Sequence, residues 1–149
     1  MIAVARAYLG TFLGGMLFAM LFAAGVMSLD RSAPFEVLSV EPARVRPGEI
    51  VTIRAKVRRD TARGCAASFS RYLFDSASVR FDLGDASLSA AGIHSLERRT
   101  PGELIVTAMV PSIAARGPAT IETQLEYVCN VAHRVWPITV ITTLPFDIL

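Results

Sequence analysis

Residues Ala7 to Leu29 carry no charge, and this run constrains the chain more than any other part of it. The segment AYLGTFLGGMLFAMLFAAGVMSL is 23 residues long. At about 1.5 Å per helical residue, roughly 20 apolar residues cross a hydrocarbon core of about 30 Å. Arg6 and the amino terminus lie just before the run, Tyr8 sits where an interfacial aromatic belongs, and Asp30-Arg31 closes it. The positive-inside rule then gives a cytoplasmic segment 1–6, a transmembrane helix 7–29, a linker 30–34 and an extracytoplasmic domain 35–149. A cleaved signal peptide is the rival reading, with Ala23-Ala24-Gly25 or Val26-Met27-Ser28 as the cleavage context. The run exceeds the roughly 7–15 residues of a signal core, which favours a retained single-pass anchor in the inner (cytoplasmic) membrane. Both readings export the rest of the chain.

Within the run, Gly10 and Gly14 form a GxxxG pair, and Gly15, Ala19 and Ala23 continue small residues at a spacing of four. Small residues let helix backbones approach closely in lipid, where packing drives association. Gly10, Gly14, Gly15 and Ala19 are therefore the expected packing face of a homo-oligomer. The plainer account is that Gly and Ala are simply frequent in membrane helices.

A formal net charge of +2 over 149 residues argues against a nucleic-acid partner. Lys56 is the only lysine against fourteen arginines, a bias that fits a GC-rich bacterial or phage genome better than any chemistry. The two cysteines, Cys65 and Cys129, both fall in the exported part. In an oxidising compartment they read most simply as one disulfide. Closing a loop of about 65 residues contributes roughly 4 kcal/mol in the chain-entropy account.

The exported part is patterned for strands. Phe35 to Val40 reads as a strand stopped by Pro42, and Pro47-Gly48 as a turn. Val51, Ile53, Ala55 and Val57 alternate with Thr52, Arg54, Lys56 and Arg58, a period of two that marks a half-buried strand. Phe69 to Phe74 and Ser78 to Leu83 follow, the latter broken at Gly84-Asp85. The spacing predicts a short strand over Ile93 to Arg98 and another carrying Leu104, Val106, Ala108 and Val110. Ala119, Ile121, Thr123, Leu125, Tyr127 and Cys129 share one face of a long strand. A last strand from about Arg134 to Thr143 has Trp136, Ile138 and Val140 on one face, with Pro137 demoting it to an edge or interrupting its start. Seven or eight short strands without an intervening amphipathic helix predict an all-β, Ig-like antiparallel sandwich behind the transmembrane helix. The order Cys–Trp–Cys of antibody domains is absent, because Trp136 follows both cysteines.

Chemistry is sparse. His94 and His133 stand in separate segments without a convergent ligand set, so no metal is expected. Asp82-Leu83-Gly84-Asp85 lacks the further carboxylates of a calcium loop. No nucleophile elbow occurs and no spacing selects a pair of acids, so neither a catalytic residue nor a cofactor is expected, and an envelope hydrolase is the least favoured class. Arg54, Lys56, Arg58 and Arg59, extended by Arg63, form a basic ladder that suits an anionic partner. It equally suits the solvated side of an edge strand, with Glu122 and Glu126 pairing with it across the sheet.

The segment Tyr127-Val128-Cys129-Asn130-Val131-Ala132-His133-Arg134-Val135-Trp136-Pro137-Ile138 resembles the carboxy-terminal part of small, uncharacterised single-pass membrane proteins of phages and prophages. The likeness spans about Pro101 to Ile141, brings no catalytic residues, and implies an exported β-domain on an anchor. The leading expectation is a non-enzymatic interaction protein that binds an envelope or membrane-complex partner through Arg54, Lys56, Arg58 and Trp136. The alternative is a tethered periplasmic ligand carrier or assembly factor, such as a lipid or metal chaperone. It would need an apolar cavity between the sheets or a convergent His/Cys set.

Overall fold

The computed structural model describes the backbone of residues 2–149, and all their side chains except those of 2–11, 27 and 28. A helix, α1 (Ile2–Leu29), covers the uncharged run without a break. Its 28 residues measure about 42 Å at the ordinary helical rise. Counted over the described residues, no helix is long and apolar enough to cross a membrane. The described side chains, 12–26 and 29, make up only part of the expected 7–29 span. Gly10 lies outside the described residues. Gly14, Gly15 and Ala19 are exposed on α1, and a Cβ added at either glycine would meet open space.

Eight strands follow. They are β1 (Phe35–Val40), β2 (Arg44–Val45), β3 (Ile50–Arg59), β4 (Ala66–Phe74), β5 (Arg80–Leu88), β6 (Glu103–Met109), β7 (Gly117–Val128) and β8 (Ile138–Ile148). A second helix, α2 (Ala90–Arg99), separates β5 from β6, and a 3-10 turn (Ala132–Arg134) precedes β8. One sheet is ordered β1-β3-β6 and the other β2-β8-β7-β4-β5. Every pairing is antiparallel except the short contact of β2 with β8. Ile53 and Val106 of the smaller sheet and Leu73, Ile121 and Leu144 of the larger are almost completely shielded, which puts the core between the two layers. The all-β sandwich expected from the period-two patterning is therefore the observed architecture.

Several local expectations are overturned. Residues 93–98 are not a strand but the body of α2. Ser89 caps the helix by accepting from the Gly92 N–H, Ile93 and Leu96 are three apart on its half-buried side, and Arg98 and Arg99 fall in the last turn, where cations suit the helix dipole. Gly84 does not end its strand. It adopts φ +89° opposite Arg71 at a bulge, and β5 continues to Leu88. Trp136 does not share a strand face with Ile138, because β8 begins after Pro137. Strand β3 is the centre of its sheet, not an edge.

Segment 30–34 is no free linker either. Arg63 binds the Asp30 carboxylate at 2.8 Å and the Ser32 carbonyl, while Asp60 N–H donates to the Pro34 carbonyl. Arg31 lies 4.2 Å over the Trp136 ring and donates to the Trp136 and Pro137 carbonyls. These contacts hold the carboxy-terminal end of α1 against the 3-10 turn.

Cys65 and Cys129 are disulfide-bonded. Ala66 pairs with Val128, so the bridge extends the β4–β7 register by one step. It joins neighbouring strands of one sheet, whereas the bridge of an antibody domain joins two sheets.

Candidate functional site

The smaller sheet has three strands facing five, so the sandwich is unevenly covered. Helix α2 runs from the β5 edge of one sheet to the β6 edge of the other and closes that side. Beneath it lies a largely apolar cavity of about 110 Å³, walled by Phe69, Leu88, Ile93, Leu104, Leu125 and Leu144 among others. For scale, an engineered apolar cavity of about 150 Å³ holds benzene. A recess of about 580 Å³ on the outer face of β4, β5 and β7 is larger, but it is open to solvent and lined by serines and acids.

One row of polar side chains enters this interior. On β4 the inward positions are Ala67, Phe69, Arg71 and Leu73, and the register sets Arg71 beside Thr123 of β7, which in turn pairs with Thr142 of β8. Thr123 and Thr142 are buried. The Arg71 guanidinium carbon stands 4.6 Å from the Phe69 ring centre, and its Nε is buried without a hydrogen-bond partner. Burial alone pushes the Arg71 pKa down, as partial desolvation does to any cation.

The second inward guanidinium is fully committed. Arg59 binds the Glu97 carboxylate and donates to the Thr100 and Glu103 carbonyls, which ties the end of α2 to β3. Its hydrogen bond holds the Glu97 carboxyl below the usual range, with help from the Gly102 N–H and against the cost of burial. Tyr127, also on the wall, is pushed up to about 12 by burial.

The residues expected to meet a partner are not gathered here. Arg54 pairs with Glu103 at 3.6 Å and Arg58 with Glu36, both on the outer face of the smaller sheet. Lys56 is exposed on that face, opposite Glu103 in the register. Glu122 and Glu126 belong to the other sheet and face away from the ladder, so the expected cross-sheet pairing with them does not occur. Trp136 stands apart at the corner between the 3-10 turn and β8, beside exposed Val131 and Val135. His133 is buried, with its Nδ1 accepting from the Cys129 N–H. Among the described residues, no three His, Cys, Asp or Glu side chains converge as metal ligands.

Arg71, Thr123 and Thr142 as a polar row were missed in the sequence. A signal existed, since the period of two from Ala67 to Leu73 places an arginine on the face of the alanine, phenylalanine and leucine. The pairing of the three strands, which makes them a row, is not written locally. No protein-family model and no curated protein matches the chain.

Proposed function

We propose that this protein is a membrane-tethered binding domain that holds a small, largely apolar molecule between its two sheets. The partly open, largely apolar cavity beneath α2 carries the reading. Protein interiors are close-packed, and an apolar void forfeits dispersion contacts along its whole lining, so a retained one is costly unless filled. Pockets of this kind, apolar with a few placed polar groups, are the usual form of a ligand site. The function weighed second on the sequence thereby moves ahead of the first, because the basic ladder is largely neutralised by Glu36, Glu103 and Glu97.

The tether belongs to the same proposal. An unbroken helix over an uncharged run, with Phe12, Leu17, Phe18 and Phe22 exposed, has an apolar surface that water does not suit and lipid does. The domain then faces the extracytoplasmic side of the inner membrane, where its disulfide is stable. A phage or prophage setting remains part of this reading. A partner-binding role is supported separately by Trp136, Val131, Val135 and Leu29, which leave an exposed apolar corner at the end of α1.

Native mass spectrometry of the full chain, taken from its own membrane into nanodiscs, tests the carrier reading. A small molecule bound one per chain is expected, and its loss is expected in Ala67→Leu, which fills the cavity wall. A chain that always arrives bare, in both forms, refutes it.

A further inference from the structure

We infer that the cavity takes a small monocarboxylic acid, with its carboxylate on Arg71 at the head of the row that continues through Thr123 and Thr142, and its apolar part beneath α2. The inference rests on the binding reading above and adds the chemistry of the ligand.

Charge balance points to an anion. Five acids stand on the strands of the larger sheet, Asp82, Asp85, Glu122, Glu126 and Asp147, and the register turns all five to its outer face. The inward face of the smaller sheet contributes Val51, Ile53, Ala55, Val57 and Val106, and beyond them Arg59. From α2 come Glu97, which Arg59 already holds, and the exposed rim residue His94. Asp60, at the same rim, accepts from the Ala62 N–H in its own turn. Asp75 is buried as well, at the end of β4 and away from the cavity wall, where the N–H groups of Ala77, Val79 and Ala115 already hold it. Around the cavity there are thus two guanidinium groups and one carboxylate held against one of them. Arg71 is the cation left over, and a half-buried charge without a counter-ion is unfavourable.

Shape points to a carboxylate. A guanidinium offers a planar fork that matches a carboxylate with two parallel bonds, and the hydroxyls of Thr123 and Thr142 stand in the same row. One cation and two neutral hydroxyls balance a monoanion; a phosphate dianion would bring a second charge with nothing to meet it. Opposite Arg71 on β5 is Gly84, around which a Cβ would find no neighbour within 4 Å, so the flank of the guanidinium is unobstructed. The remaining walls are mostly apolar, with leucine, isoleucine, valine and phenylalanine side chains, and about 110 Å³ accommodates a ring or a short chain and not a long acyl tail.

The test uses the full chain in phosphatidylcholine nanodiscs, with hexanoate, hexanol and hexylamine as probes. Methyl shifts of Leu104, Leu125 and Leu144 report occupancy of the cavity itself, apart from partitioning into lipid. Hexanoate is expected to bind saturably, ahead of hexanol, with hexylamine excluded. In Arg71→Met, hexanoate affinity falls roughly tenfold to a hundredfold while hexanol binding persists, and Arg71→Lys recovers part of the loss. The methyl spectrum without ligand verifies that each variant is folded. Hexanol binding without hexanoate binding, or hexanoate binding indifferent to Arg71→Met, overturns the acid inference and leaves the cavity reading standing. No probe shifting any cavity methyl overturns both.

Discussion

Asp75 organises more backbone than any other side chain in the domain. It is buried at the end of β4, where Oδ1 accepts from the N–H groups of Ala77 and Val79 and Oδ2 accepts from Ala115, joining the β4–β5 turn to the loop before β7. The Ala115 bond is the largest of the causes that hold its pKa below the ordinary carboxylate range. Glu97 is held low as well, first by Arg59. Both carboxyls bind protons less readily folded than unfolded, so their contribution is complete above about pH 4–5 and is lost as pH falls through the folded values. Acid denaturation followed by circular dichroism is therefore expected to begin below about pH 4 in the native chain. Asp75→Ala is expected to lower Tm at neutral pH and to flatten the acid limb, whereas an unchanged acid limb would mean that this carboxylate does not carry it. At this scale the sequence was partly readable. The alternation that buries Val51, Ile53, Ala55 and Val57 was plain, because a period of two needs no tertiary knowledge. The role of Arg71 and the Ala115 contact of Asp75 were hidden, because each depends on a partner 40 or more residues away.

Among the elements, α2 decides whether the sandwich has a cavity, and its sequence was the hardest to read. The stretch from Ala86 to Gly92 is small and polar, and the helix that follows has only a narrow apolar stripe, so its pattern passes for a short strand. What identifies it is the cap at Ser89 and the two arginines in the last turn, signals of helix ends and not of periodicity. Its far end is fastened by Arg59, whose side chain is only 5% exposed. Arg59→Leu leaves the Glu97 carboxylate unpaired and is expected to cost about 2 kcal/mol, because Glu97 keeps some contact with water. Hydrogen exchange should show the amides of α2 losing protection before those of β7; equal loss across both would mean that α2 is not a separately held cover. The disulfide acts on a different element pair. Cys129→Ala with Cys65→Ala is expected to cost about 2–4 kcal/mol in urea unfolding while the strands keep their register, since β4 and β7 are already paired along nine positions. Pro145 fits the same logic. Asp147 and Leu149 send their N–H groups to Ala43 and Val45, so Pro145, two steps earlier, has its missing N–H on the outer edge of β8. Strand β8 is not an edge strand, since it lies between β2 and β7, and Pro137 stands just before its start.

For the whole molecule, side-chain contacts join the domain to the end of its helix. Arg63 on Asp30 and Arg31 on Trp136 fix the end of α1 beside the 3-10 turn. In the proposed membrane orientation this holds Val131, Val135 and Trp136 near the lipid interface, where an aromatic and arginines are at home. If α1 also packs against a second copy, Gly14→Ile is expected to shift the oligomer in detergent toward monomer, and an unchanged oligomer would move the contact away from this face. The overall class, a β-sandwich behind a hydrophobic helix, was legible because it depends on residue periodicities and on one long uncharged run. The uneven three-against-five layering was not, because strand order is a property of pairing across the chain. That layering creates the space beneath α2, which on the proposed function is occupied in the cell. The most direct measurement is a high-resolution structure of the full chain purified from its native membrane, inspected between Arg71 and Leu144. Ordered non-protein density is expected there, with one end on the Arg71 guanidinium. A collapsed interior, with Leu104 and Leu125 in contact and Arg71 turned out to solvent, would contradict it.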